Sequence, residues 1–222
     1  VLPINIKNPT HDFTQKPAMS ENAFIDTINI GLKSVEKKTD ILCLGEMGIG
    51  NTASAAALCH AVFGSEAELW TGLGTGIDNE TYKRKVALVE KGVRLHQPFI
   101  NDGLDALIRL GGFEFGAIAG AIVAARFLKI PVILDGFVSS TAAAMLAATQ
   151  KGSLDHCLVA HMSQEVGHKK LLFEINKTPL LDLDMRLGEA SGAVLSVGIL
   201  KAAVNCHNGM STFKEAGITN KN

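Results

Sequence analysis

Three short runs of wholly apolar residues constrain this chain more than any other feature. They cover residues 41–44 (Ile-Leu-Cys-Leu), 131–134 (Pro-Val-Ile-Leu) and 157–160 (Cys-Leu-Val-Ala). A strand with one wet face alternates polar and apolar residues, whereas a strand covered on both faces is apolar throughout. Each run ends at a turn: Gly45-Glu46, Asp135-Gly136-Phe137 and His161-Met162-Ser163. Between the runs lie segments with helical character. Ser20 caps a helix reaching about Lys38, and Asp78 caps another reaching about His96. Further helices are expected over 53–63, 104–110, 115–128, 139–149 and 165–174, with a last one running from the 188–192 segment to about Asn205. Leu180–Leu183 is a fourth short apolar piece. Strand-turn-helix alternation of this kind predicts a single α/β domain over 1–222, with a Rossmann-like parallel sheet flanked by helices. Residues 1–22, with Pro3, Pro9 and Pro17, read as an irregular lead-in. The chain opens on Val1, not on a methionine, and reads like the interior of a longer protein.

Charge narrows the partners. Lys and Arg number 21 and Asp and Glu 22, so the net charge is -1, which disfavours a protein built to coat nucleic acid or an anionic membrane. The hydrophobic fraction of 47% supports a packed core. The longest uncharged stretch, 47–65, contains Gly48, Gly50, Asn51, Thr52 and His60, and reads as a loop and helix with no membrane span. The first residues lack the basic-then-apolar order of an export signal. Cys43, Cys59, Cys157 and Cys206 form no CxxC pair and read as free thiols of a reducing compartment. The grouping His156, Cys157 and His161 matches no standard zinc spacing.

In an open parallel sheet, ligands bind beyond the carboxyl ends of the strands. The 45–52 loop, Asp135-Gly136 and 161–163 fall there, and the glycine cluster 72–76 is a fourth candidate. Glycine lets backbone N–H groups approach a phosphate, and a helix N-terminus adds partial positive charge. Ordinary strand-to-helix turns also favour glycine, so one such loop alone decides nothing. Two such loops, with Lys85 nearby in sequence, favour the phosphate reading. Neither the GxxxxGK[ST] nor the GxGxxG pattern is present. Two acids stand out: Glu46 in the first glycine turn, and Glu189 at the opening of an apolar helix between Gly188 and Gly192. A carboxylate in an apolar cleft has its ionisation opposed and can serve as a base near neutral pH. Glu189 can equally be a first-turn glutamate favoured by the helix dipole. Asp182 and Asp184 share a face of an extended segment and read as a metal pair or, more simply, as solvated or capping residues. His161 and His168 read as hydrogen-bonded structural residues.

In combination these segments resemble one family. The loop Gly45-Glu46-Met47-Gly48-Ile49-Gly50-Asn51-Thr52 looks like the signature of nicotinate-nucleotide:dimethylbenzimidazole phosphoribosyltransferases. Gly74-Thr75-Gly76, Arg84-Lys85-Val86, Leu110 to Glu114, Pro131 to Phe137, His161 to Glu165 and Arg186 to Ala193 follow in the same order. Even Asp12-Phe13 and Pro17-Ala18-Met19 in the lead-in fit, so the resemblance covers essentially the whole chain.

The resemblance implies a Rossmann-like sheet with part of a smaller helical domain, in a cytoplasmic homodimer. It implies transfer of phosphoribose from nicotinate mononucleotide to 5,6-dimethylbenzimidazole in cobalamin biosynthesis, releasing nicotinate and α-ribazole 5′-phosphate. Glu189 matches the family's catalytic base and Glu46 a second acid of the site. Gly48, Gly74, Lys85 and Ser163 match positions lining the phosphate pocket. No metal and no cofactor are implied, because the donor nucleotide carries no pyrophosphate to clamp. Family members carry a further segment ahead of residue 1, which supplies part of the benzimidazole pocket. The competing readings are a non-catalytic nucleotide- or phosphate-binding module and a related transferase acting on another base.

Overall fold

A computed structural model describes residues 9–73 and 78–218. Four strands, β1 (Leu42–Leu44), β2 (Val132–Leu134), β3 (Cys157–His161) and β4 (Pro179–Leu181), pair in parallel in the order β1-β2-β3-β4. The register sets Leu44 beside Leu134 and Leu134 beside Val159. The turns after β1, β2 and β3 therefore lie side by side at one edge. The Asp135 amide donates to the Leu44 carbonyl at 2.9 Å and extends the β1–β2 pairing by one step.

Eight α-helices accompany the strands in the described residues: α1 (Glu21–Ser34), α2 (Asn51–Phe63), α3 (Asn79–His96), α4 (Gly103–Leu110), α5 (Phe113–Leu128), α6 (Phe137–Thr149), α7 (Val166–Glu174) and α8 (Ser191–Gly209). Ser20 and Asp78 cap as expected, accepting the amides of Ala23 and Thr81. The first helix stops four residues short of Lys38, because Val35 turns to extended backbone and a turn at Glu36–Thr39 leads into β1. The last continues past Asn205 to Gly209. The lead-in is irregular from Pro9 to Ser20 but fastened down: the amides of Ala18 and Met19 donate to the carbonyls of Arg109 and Ile108, and the His96 ring bonds the Phe13 carbonyl at 2.8 Å.

Strand order explains the two faces of the sheet. Sequential parallel neighbours joined by crossovers of one hand place their helices on one side. Val132, Leu134, Cys157 and Val159 point into that side, into the main core with Leu58, Phe115, Ala143 and Met145. Ile133 and Ala160 point the other way, against Ala193 of α8, which contacts all four strands. Among the described residues only α8 covers this second face. Full coverage of both faces, expected from the uniformly apolar strands, is therefore incomplete: Leu158 is 38% exposed, and β4 is only partly buried. Cys59 and Cys157 are buried free thiols, each pushed up to about 12 by burial, whereas Cys206 on α8 is exposed. No helix among the described residues is long and apolar enough to cross a membrane.

Candidate active site

A cleft of about 1280 Å³ opens at the carboxyl edge of β1, β2 and β3. The Glu46–Ala53 loop forms one wall, Lys85 of α3 a second, and the Arg186–Glu189 turn a third, with Asp135, His161 and Ser163 beneath. The site residues Glu46, Gly48, Lys85, Ser163 and Glu189, scattered in sequence, all line this one cavity. Gly74 lies outside the described residues, although its neighbour Leu73 lines the cleft.

Glu46 leaves β1 and accepts a hydrogen bond at Oε2 from the Asn51 side-chain amide. Burial pushes its carboxyl above the usual range; the Asn51 bond opposes this, and the charges of Glu114, Asp135 and Glu189 add to it. Glu189 is not in the first turn of α8. It stands before Ala190, the helix cap, and Gly188, Glu189 and Ala190 all have left-handed backbone with φ of 79°, 59° and 62°. Non-glycine residues hold that conformation at a cost, so surrounding structure must impose it. The Glu189 amide donates to the Glu46 carbonyl at 3.2 Å, and the Ser191 amide to the Gly188 carbonyl at 3.0 Å. A close approach completes the join: a Cβ on Gly45 would overlap the backbone of Ala190. The helix-dipole reading of Glu189 is thereby displaced by a strained turn that presents the carboxylate at the cleft.

Across the cleft, Lys85 donates from Nζ to Thr52 Oγ1 at 2.8 Å and to the Gly72 carbonyl at 2.9 Å. An ammonium has three protons, so one remains for a ligand. Burial lowers its pKa and the Glu165 charge partly restores it. Beside it, α2 begins at Asn51 after Gly50 in left-handed backbone, with neither a capping side chain nor an acid in its first turn. Its positive end therefore faces the cleft, with the Glu46 carboxylate held beside it through Asn51. Ser163 is 8% exposed. Its amide donates to His168 Nδ1 at 2.9 Å, and its Oγ accepts from the Glu165 amide at 3.3 Å. A backbone donor at Nδ1 fixes the tautomer, so His168 Nε2 carries the proton and donates to Ser140 Oγ at 3.2 Å.

Several residues of the site escaped sequence reasoning. Glu165 lines the cleft beside Lys85 and is raised by burial, with Lys85 and then Arg186 pulling it back; its buried Oε2 lacks a hydrogen-bond partner. Glu114 lies in the first turn of α5, and only the fold brings its charge to Glu46. Arg186 follows an exposed stretch that reads as an ordinary loop. Asp182 and Asp184 are both exposed, and Asp184 accepts from the Gln164 side chain at 2.6 Å. His156 bonds the Ile122 carbonyl at 3.0 Å. Among the described residues no group of three or more His, Cys, Asp or Glu is placed to hold a metal ion.

Two carboxylates, a lysine and a helix N-terminus meet in one cleft at the strand ends, an arrangement that suits an anionic ligand and proton transfer. A family model described as phosphoribosyltransferase matches residues 2–218, and the chain belongs to that family. Curated relatives named nicotinate-nucleotide--dimethylbenzimidazole phosphoribosyltransferase include proteins of Rhizobium rhizogenes, 51% identical over 221 residues, and Brucella anthropi, 52% identical over 219. These alignments cover 100% and 99% of this chain and 65% of each relative. The crystal structure of CobT from Thermus thermophilus superposes with a TM-score of 0.87 at 35% identity, covering 96% of this chain and 64% of that one. The chain thus spans about two thirds of the length of the proteins it matches.

Proposed function

We propose that this chain carries the catalytic part of an enzyme that moves phosphoribose from nicotinate mononucleotide to 5,6-dimethylbenzimidazole. The observation that carries the reading is the convergence of Glu46 and Glu189, joined through their backbones, opposite Lys85 in one cleft. The relatives' names supply the two substrates. One benzimidazole nitrogen attacks the ribose anomeric carbon, and the bond from that carbon to the pyridinium nitrogen breaks. The electron pair stays on that nitrogen, so nicotinate leaves without its ring charge. Glu189 takes the proton from the other benzimidazole nitrogen, and attack from the opposite face gives the α product. Glu46 supports the base and orients the ring. Gly48, Gly74, Lys85 and Ser163 receive the phosphate, with Lys85 as its counter-charge.

Residues 1–222 act in this reading as one catalytic α/β unit with part of a smaller helical domain. The working form is a cytoplasmic homodimer without metal or cofactor. Exposed Leu195 and Ile199, one turn apart on α8, support an assembly, because exposed apolar residues sharing a helix face favour a covering partner. Chromatography of the chain incubated with both substrates tests the reading. Nicotinate and α-ribazole phosphate are expected from the wild type and not from Glu189→Gln. Retained nucleotide binding with no product from the chain or from its longer relatives would favour a binding module instead.

A further inference from the structure

We infer that Asp135 is a positioning residue for the acid pair, acting as a cap in trans for the helix that follows Glu189 and as a buried charge beneath Glu46. This rests on the role proposed above for the two glutamates. Asp135 ends β2 and is 2% exposed, yet it lines the cleft. Its Oδ1 accepts the amide of Ala193 at 2.9 Å. Ala193 is the third residue of α8, the position whose amide a capping side chain normally satisfies. The residue in the cap position, Ala190, has no such side chain. Asp135 therefore supplies from the sheet what the helix lacks in its own sequence. Fixing Ala193 to β2 fixes the strained turn two residues ahead of α8, and with it the Glu189 carboxylate.

A second contact holds the same joint. His161, at the end of β3 and 1% exposed, places Nε2 3.7 Å from Asp135 Oδ1. Its Nδ1 lies 3.1 Å from the Met162 carbonyl and so carries a proton, while Nε2 has no hydrogen-bond partner. A Cβ on Gly192 would overlap the His161 ring, so α8 begins pressed against this pair. The groups facing Asp135 are thus Cys43 of β1, His161 of β3 and the first turn of α8. Those facing Glu46 are Asn51 of α2, Glu114 of α5, Asp135 of β2 and Glu189.

Two variants separate the two roles. Asp135→Asn keeps an oxygen able to accept the Ala193 amide but removes the charge, and Asp135→Ala removes both. NMR of the chain labelled on its glutamate carboxyls and backbone amides reads each role without turnover. Asp135→Ala is expected to displace the Glu189 amide resonance and to slow nicotinate release by about a hundredfold, the scale of a misplaced reacting group. Asp135→Asn is expected to leave that resonance in place and move the Glu46 titration to lower pH, because a like charge has gone. An unmoved Glu189 resonance in Asp135→Ala, or a Glu46 titration unmoved or raised in Asp135→Asn, overturns the inference. If Asp135→Ala does not fold, the Glu46 titration in Asp135→Asn decides. Absence of nicotinate release from the wild type sinks the transferase reading alone, since the two NMR readouts do not depend on it.

Discussion

The amide of Glu189 donates to the carbonyl of Glu46 at 3.2 Å, so two acids far apart in sequence share one backbone hydrogen bond. The bond stitches the turn before α8 to the end of β1. Its consequence is that the backbone carrying one acid cannot move far without moving the backbone that carries the other.

Glu189→Gln preserves the shape of the side chain and the turn but removes the proton acceptor. Nicotinate release should fall by about 10²–10⁴-fold, equivalent to about 3–5 kcal/mol of transition-state stabilisation. Affinity for nicotinate mononucleotide, measured by calorimetry, should change little, because the phosphate is held across the cleft. Near-normal turnover would remove Glu189 from the mechanism.

Lys85→Ala removes the cation and leaves Thr52 Oγ1 and the Gly72 carbonyl without their donor. A hydrogen bond to a charged group contributes about 1.5–3 kcal/mol, so nucleotide affinity should drop by about 10–100-fold. Calorimetry with inorganic phosphate should show the same ratio of wild type to variant. Unchanged affinity in the variant would mean that Lys85 is only a tether between α3 and its neighbours.

Gly45→Ala puts a Cβ into the backbone of Ala190. Overpacking of this sort costs about 1–3 kcal/mol. Because the clash falls on the turn that presents Glu189, catalytic rate should drop further than the loss of stability explains. Parallel measurement of Tm and of nicotinate release at a temperature well below Tm separates the two. A rate that falls only in step with the folded fraction would show the approach to be structural packing alone.

His168 is buried and its pKa is lowered to about 3, chiefly by desolvation and then by His161. An unfolded chain takes up a proton at this ring near pH 6.5, so between there and pH 3 the unfolded state binds more protons. Stability contributed by neutral His168 is therefore complete above the unfolded value and lost as pH falls. The slope reaches about 1.4 kcal/mol per pH unit. Urea titrations of wild type and His168→Asn at pH 7 and pH 5 should show a smaller acid loss in the variant, which titrates no ring. Equal losses would mean that the ring is not held neutral.

Much of this architecture is legible without coordinates. The apolar runs 41–44, 131–134 and 157–160 foreshadow β1, β2 and β3, because covered strands cannot afford polar residues. Ser20 and Asp78 mark helix starts through a hydrogen bond made within three residues. Glu46 stands out as a charge inside a glycine turn, and Lys85 as a cation close in sequence to the second glycine cluster. All of these are local signals, carried by neighbours in the chain.

What only the tertiary structure decided is pairwise and distant. Strand register brings Asp135 to the strand end beside Gly45-Glu46, and no periodicity encodes which strand ends become neighbours. Glu165 and Glu114 read as ordinary residues at helix starts until the fold sets one beside Lys85 and the other beside Glu46. The left-handed backbone at Glu189 was invisible in the sequence, since Glu and Ala have no preference for it and contacts from Glu46 and Asp135 impose it. Sequence by itself determined the elements and the chemistry each can bring. Burial and close approach across the sheet edge determined which of those groups meet, because those energies depend on separation in space and not on separation along the chain.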